Sequence, residues 1–381
     1  MTAAQSGCLM GPHCPRMSFL NKSGGDIVSY DFSDRVGKYV GDLSQLAGVK
    51  RFTFAEGKAK GVEAFEVRTG GGLNYTVLAD RCLDIAWAEY KGVPFGYIAN
   101  AGVVAPAYFD PSGANYLNSF TAGLLSTCGL TYLGAPCRDG DEELGLHGRI
   151  GNTPAGEIGA AVEWPAKDPR VVIAGKVRES RLFGADLILS RNIESPLGQN
   201  RIRITDRVRN AGFEPQPLMF LYHVNLGYPL LQENSELIAP VKSVVPRDAV
   251  AQPGLSAHLR MEPPRKGYAE QVFYLDLAAD ADGMTSVALV NMELGFGVYE
   301  RFNLRQLPRF IQWKQMGEGF YVLGLEPGNC YVEGRAKERQ RGTLQSIEPG
   351  ETREFSLEIG VLEGKEEIEA FRAKTAVLAG K

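Results

Sequence analysis

Apolar and polar residues alternate along much of this chain. In Arg201-Ile202-Arg203-Ile204-Thr205-Asp206-Arg207-Val208 the apolar groups fall at 202, 204 and 208, with mostly polar groups between them. A period of two places side chains alternately on the two faces of an extended chain, so this run predicts a strand with one wet face. The run 187–193 precedes it with similar character, and Ser195-Pro196-Leu197-Gly198 joins the two as a hairpin. Residues 171–177, 271–277, 286–292 and 355–361 predict further strands. Residues 62–67 and 75–78 form an earlier pair around Gly70-Gly71-Gly72. Helical signals are few. A short helix is expected over 38–46, and a C-terminal one over 363–377 with Ile368, Phe371 and Val377 as its apolar positions. Closely spaced strands with little helix predict an all-β fold, an antiparallel sandwich or barrel. Residues 1–46 are expected to be a tail and extension, and 47–381 a single β-domain.

Composition narrows the function classes. The chain is 44% hydrophobic and 23% charged, as in soluble globular proteins. A formal net charge of −4 gives no electrostatic reason to expect nucleic acid or an anionic membrane as partner. No run approaches the roughly 20 apolar residues of a membrane span. The six cysteines are scattered without a C-x-x-C pair, which predicts reduced thiols in a cytoplasmic protein, with no disulfide framework and no zinc. Cys8 and Cys14 with His13 are the one grouping near the N-terminus with metal-ligating types. No phosphate-binding glycine loop occurs, so no nucleotide cofactor is expected. Monomer and homodimer both remain open.

Only four histidines occur, and two lie in glycine-marked segments that read as strand-like. His147 stands in Gly145-Leu146-His147-Gly148-Arg149, and His223 in Leu221-Tyr222-His223-Val224-Asn225-Leu226-Gly227. Histidine titrates near neutrality, so a sparse pair is a candidate for proton transfer. Residues 223 and 225 share a strand face, with Tyr222 beside them. Glu326 ends the apolar run 320–325 ahead of Pro327-Gly328 and is expected at a sheet rim. Gln312 and Lys314 share a face and flank Trp313; amides, a cation and an aromatic ring suit sugar hydroxyls and a sugar's apolar face. Arg81 and Asp84 interrupt an apolar strand and are candidates for ligand contact or an ion pair. Two histidines and a carboxylate can do general acid–base work, and the same set can ligate a metal, although the spacing is wide.

At these residues the chain resembles the galactose mutarotase (aldose 1-epimerase) superfamily, most closely a divergent bacterial branch of uncharacterised epimerase-like proteins. Leu146-His147-Gly148 matches the family's Leu-His-Gly segment. Pro217 followed by His223-Val224-Asn225-Leu226 matches its second histidine strand. Glu326-Pro327, then Pro349-Gly350-Glu351 and the run 355–361, match its C-terminal glutamate and final strand. The resemblance spans about 49–362 and implies a large antiparallel β-supersandwich with a sugar-binding face and few short helices. It implies Glu326 as general base, His223 as general acid and His147 as a hydrogen-bond partner of the sugar, with Glu333 the competing glutamate. Arg81 or Arg149 stands in for the family arginine, which is missing from 123–129. No aspartate matches the family's substrate-binding one between His223 and Glu326. Tyr222, Asp84, Asn225, Gln312, Lys314 and Arg335 complete the expected substrate-binding set. Lys314 points to a sugar acid as an alternative to a neutral monosaccharide. A non-catalytic carbohydrate-binding protein, or another sugar isomerase or lyase on this fold, is the alternative reading.

Overall fold

The computed structural model describes residues 36–164 and 168–380. Within them the strands assemble into a twelve-stranded and an eight-stranded sheet, with two small two-stranded ones. The ladders are antiparallel throughout.

The eight-stranded sheet follows from the alternating runs. Strands Arg170–Ser180, Asp186–Pro196 and Arg201–Asn210 pair in succession, and their residues alternate between buried and more open positions. The turn expected near 195–198 joins the second pair. The strand Thr352–Glu363 then inserts beside Arg201–Asn210, bringing the C-terminal run back into the sheet centre. The inward faces of the two large sheets share one core, built from residues such as Ile173, Leu189, Ile204, Phe220, Val224, Phe302 and Leu325.

A polar knot lies inside this core. Arg191 is 1% exposed and makes a paired contact with Asp206, Nε to Oδ1 at 2.9 Å and Nη2 to Oδ2 at 2.7 Å. It also donates to Asp84 Oδ1 at 2.9 Å and to Thr127 Oγ1 at 2.8 Å. Tyr222 donates to Asp206 Oδ2 at 2.8 Å. Burial alone disfavours a guanidinium, but two carboxylates more than offset it and hold Arg191 charged. Asp206 sits at an inward position of its alternating strand, which is why a charged residue there has to find its partner inside.

Several sequence expectations are corrected. Residues 38–46 do not form a helix. Short 3-10 turns occupy Val36–Lys38 and Leu43–Gln45, separated by residues 39–42, and the Asp42 side chain accepts from Ser44 N. The C-terminal helix spans Gly364–Leu378; Ile368 is buried and Phe371 packs with it, but Val377 is 76% exposed. Glu326 does not lie at a rim. Its strand runs Phe320–Gly328, with Pro327 and Gly328 still paired to Phe310 and Arg309. His147 is not on a strand but in a loop, with φ near 57°. Cys8, His13 and Cys14 lie outside the described residues.

Candidate active site

The twelve-stranded sheet carries the site on its outer face, away from the shared core. Along Gln216–Gly227, Leu218, Phe220, Tyr222, Val224 and Leu226 belong to the core cluster. Met219 and Leu221 belong to a second apolar cluster on the other face, with Cys128, Val272, Ile311 and Val332. His223 and Asn225 follow on that outer face by the period of two. Pairing of Leu221 with Gly328 and Val224 with Leu325 sets position 223 across from 326. Ile311 pairs with Glu326, and Trp313 with both Gly324 and Val272. Three neighbouring strands thus place a histidine, a carboxyl group and an indole side by side.

His223 Nε2 lies 3.3 Å from Glu326 Oε1, with both side chains almost fully buried. The contact is close but not aligned as a hydrogen bond, because Glu326 Oε1 has no hydrogen-bond partner. Gly324 makes room for it: a Cβ there would sit 2.5 Å from Glu326 Oε1 and 3.0 Å from Trp313 Cβ.

His147 arrives from a loop. Its N–H donates to Gly134 O at 2.9 Å and its carbonyl accepts from Gly129 N at 3.2 Å. The flanking glycines permit this stitching, since a Cβ on Gly148 would lie 2.2 Å from Gly129 O. The His147 ring stands edge-on to His223, 5.7 Å between centroids at 87°. Phe120 and Trp313 approach His223 at 5.4 Å and 5.5 Å, and Tyr116 approaches His147 at 5.5 Å. The resulting pocket has a volume of about 600 Å³ and opens between the two histidines, Glu326, Trp313, Arg247 and Lys337.

Burial shapes the protonation of all three groups. It lowers His147 to about 4. It lowers His223 to about 3, with a further push from His147. Burial raises Glu326 well above the usual carboxyl range; Glu270 raises it further and Arg247 opposes. At neutral pH both imidazoles are therefore uncharged, and burial favours the uncharged form of Glu326 as well. His147 Nδ1, His223 Nδ1 and Glu326 Oε1 are all buried without hydrogen-bond partners. Unsatisfied polar atoms of this kind are costly unless a ligand completes them.

The other sequence-predicted residues divide between pocket and scaffold. Glu333 lines the pocket, where it bonds Arg341 and accepts from Tyr274 Oη at 3.3 Å. Asn225 is fully buried behind it, donating to Gly123 O at 3.1 Å and His223 O at 2.9 Å. Tyr222 and Asp84 point inward to the Arg191 knot. Arg81 is 4% exposed and binds backbone oxygens of Gly151, Val104 and Ser119. It thereby ties the segment carrying Tyr116 and Phe120 to the segment after His147. Arg149 is exposed beside a separate cavity of about 410 Å³, with Tyr132 Oη 3.4 Å from its Nε. Arg335 bonds Asp139 and Glu142.

Gln312 and Lys314 do share a face, but it is the core face of Phe310 and Met316, opposite Trp313. Gln312 pairs with His258, donating to its carbonyl at 2.6 Å. Lys314 Nζ is shut off from solvent, donates to Arg260 O at 2.6 Å and lies 3.5 Å from Glu262. Its ammonium is spent there and does not reach the pocket.

The polar and aromatic pocket residues that the sequence reading missed are Tyr116, Phe120, Arg247, Asp248, Glu270 and Lys337. Asp248 falls in the interval between His223 and Glu326, where the resemblance calls for a substrate-binding aspartate. Its signal was Arg247-Asp248 directly after the strand Val241–Pro246. Phe120 carried none. Among the described residues no three His, Cys, Asp or Glu side chains converge as a metal site, and no helix is long and apolar enough to cross a membrane.

The fold is that of the galactose mutarotase-like class, as comparisons with known proteins show. A protein from Klebsiella pneumoniae subsp. pneumoniae MGH 78578, provisionally described as an aldose 1-epimerase, is 27% identical. It superposes with a TM-score of 0.84, over 89% of this chain and 91% of its own. Two more distant structures share the fold alone. One is a galactose mutarotase-like protein from Clostridium acetobutylicum, at TM-score 0.57 and 12% identity over 84% of this chain and 99% of that one. The other is a galactose 1-epimerase from Lactobacillus acidophilus NCFM, at TM-score 0.55 and 11% identity over 84% and 99%. Comparison with curated proteins finds no match. The chain belongs to the family described as a domain of unknown function, DUF4432, whose model matches residues 59–361.

Proposed function

We propose that the protein is an aldose 1-epimerase-like isomerase that interconverts sugar anomers by opening and reclosing the ring. The pair enters the step in its ion-pair form, reached from the uncharged resting form by proton transfer from Glu326 to His223: Glu326 as a carboxylate takes the proton of the C1 hydroxyl while His223 as imidazolium gives one to the ring oxygen. The C1–ring oxygen bond breaks and a C1 carbonyl forms. Rotation about the adjacent bond and return of both protons close the ring on the other face. Opening converts the charged form of the pair into the uncharged one, and closure reverses it. The proton count of the site is unchanged, so no net charge is created in a buried site. His147 acts as a hydrogen-bond partner of the sugar.

The observation that carries this reading is the convergence of three buried, unpartnered atoms, His147 Nδ1, His223 Nδ1 and Glu326 Oε1, among residues lining one pocket. Charge bears on the substrate. Arg247 and Lys337 are the lining cations, against Asp248, Glu270, Glu326 and Glu333. With Lys314 removed from the site, this balance favours a neutral monosaccharide over a sugar acid. The test is NMR of freshly dissolved single anomers, neutral and acidic, with and without protein. Saturable acceleration of equilibration for a neutral sugar is expected. Binding without acceleration would identify a carbohydrate-binding protein, and net formation of a new constitutional product a different isomerase or lyase.

A further inference from the structure

Four side chains of the pocket wall have no part in that proton exchange, yet they are bonded in a chain. Arg247 Nε donates to Asp248 Oδ2 at 2.8 Å, and its Nη2 to Glu270 Oε1 at 3.2 Å. Trp313 Nε1 donates to the other oxygen, Glu270 Oε2, at 2.9 Å. Asp248 is in turn anchored by Val250 N and Ala251 N, which donate to its Oδ1 at 3.0 Å and 3.2 Å. Val272 pairs with Trp313, so Glu270, two residues earlier on the same face, is a diagonal neighbour of the indole. The far side of that indole meets the His223 ring at 5.5 Å and 77°. A continuous path thus runs from the backbone after Asp248 to the ring of His223.

We propose that Glu270, with Arg247, is a positioning pair for this site: it fixes the indole of Trp313 against His223 and sets the charge environment in which Glu326 exchanges its proton. The inference rests on the acid/base role proposed above. Both oxygens of Glu270 are committed, one to the cation and one to the indole, so the carboxylate cannot turn without releasing Trp313. Its charge is offset only in part by Arg247, which also serves Asp248. After burial itself, these two groups act most strongly on the Glu326 proton, and in opposite senses. The other titratable or charged groups around Glu326 are His223 on the neighbouring strand, His147 on its loop, Cys128 beneath, and Asp248, Glu333 and Lys337 along the pocket. Behind the sheet lies the buried Glu300, itself raised by Glu326. None of these is bonded to Trp313.

The test uses the full chain with 13C-labelled glutamate carboxyls, the Glu326 resonance being assigned by its loss in Glu326→Gln. Titration midpoints are compared in the parent protein, Glu270→Gln and Arg247→Gln. The expected midpoint moves down in Glu270→Gln and up in Arg247→Gln, each by about half a pH unit or more. The indole N–H resonance of Trp313 stays in place in Glu270→Gln, whose amide oxygen still accepts, and moves in Glu270→Leu. A merely structural role would move both midpoints together or neither, and either result overturns the proposal. Opposed midpoint shifts in a protein that accelerates no anomer exchange would sustain the pair and remove the epimerase reading instead.

Discussion

At the residue scale, the site gathers ionisable groups whose charged forms burial disfavours. His147 is the clearest case, because burial alone depresses it to about 4 from an unfolded value near 6.5. Between those values the unfolded chain binds more protons than the folded one, so the folded state loses stability as pH falls through 6.5 toward 4. Above 6.5 the term is constant. Glu326 has the opposite sign: raised in the folded state, it costs stability as pH rises above its unfolded value. The contribution of His147 is therefore isolated by comparison with His147→Asn, since asparagine tolerates the left-handed backbone found there. Urea unfolding at pH 7 and pH 5 should show the parent losing more stability on acidification than the variant, by on the order of 2 kcal/mol. Equal losses would contradict a buried neutral His147. His147 and His223 stand out in the sequence because they are scarce and sit in recognisable segments, and the structure brings both to one pocket. Lys314 was misplaced for an equally plain reason. A period of two says which residues share a face, but not which face meets the pocket.

At the scale of single elements, the strand Phe320–Gly328 shows how backbone economy serves the site. Gly324 has ordinary strand dihedrals, so alanine is allowed there by conformation, but its Cβ would fall 2.5 Å from Glu326 Oε1. The carboxyl end is the part free to move. Gly324→Ala should therefore lower the anomer-exchange rate by about 100-fold, the scale expected for a misplaced catalytic group, with little change in unfolding midpoint. An unchanged rate would show that the carboxyl position is not critical. The strand as an element was expected from its apolar run, but its length was not. Pro327-Gly328 reads as a turn in sequence; in the sheet it continues pairing with Phe310 and Arg309. The loop bearing His147 escaped for a related reason, since its shape is set by contacts with Gly129 and Gly134, remote in sequence and invisible to local pattern.

At the scale of the whole molecule, two sheets are joined by an apolar core with one ionic knot at its centre. Arg191, Asp84 and Asp206 come from three strands, and the knot reaches Thr127 and Tyr222 on strands that also form the site floor. Removing one partner of a buried pair leaves the other charge uncompensated, typically at a cost of about 3–5 kcal/mol. Asp206→Asn and Arg191→Met should each lower the unfolding free energy by about that amount, read by urea denaturation. A loss of less than about 1 kcal/mol in both would mean the knot adds nothing beyond its volume. The antiparallel architecture itself was readable from alternation in runs such as 187–193 and 201–208. The knot was not, because alternation puts Asp206 on the apolar face with Ile202, Ile204 and Val208 but does not name Arg191 and Asp84 as the groups it meets there.

The central claim is that Glu326 and His223 exchange protons with a sugar during ring opening, and two-dimensional exchange NMR on an equilibrated sugar reads this directly. With the parent protein, cross-peaks should connect the two anomeric resonances at a rate that saturates with sugar concentration. With Glu326→Gln or His223→Asn that rate should fall by at least about 100-fold while sugar binding persists. Exchange at the parent rate in either variant would contradict the account.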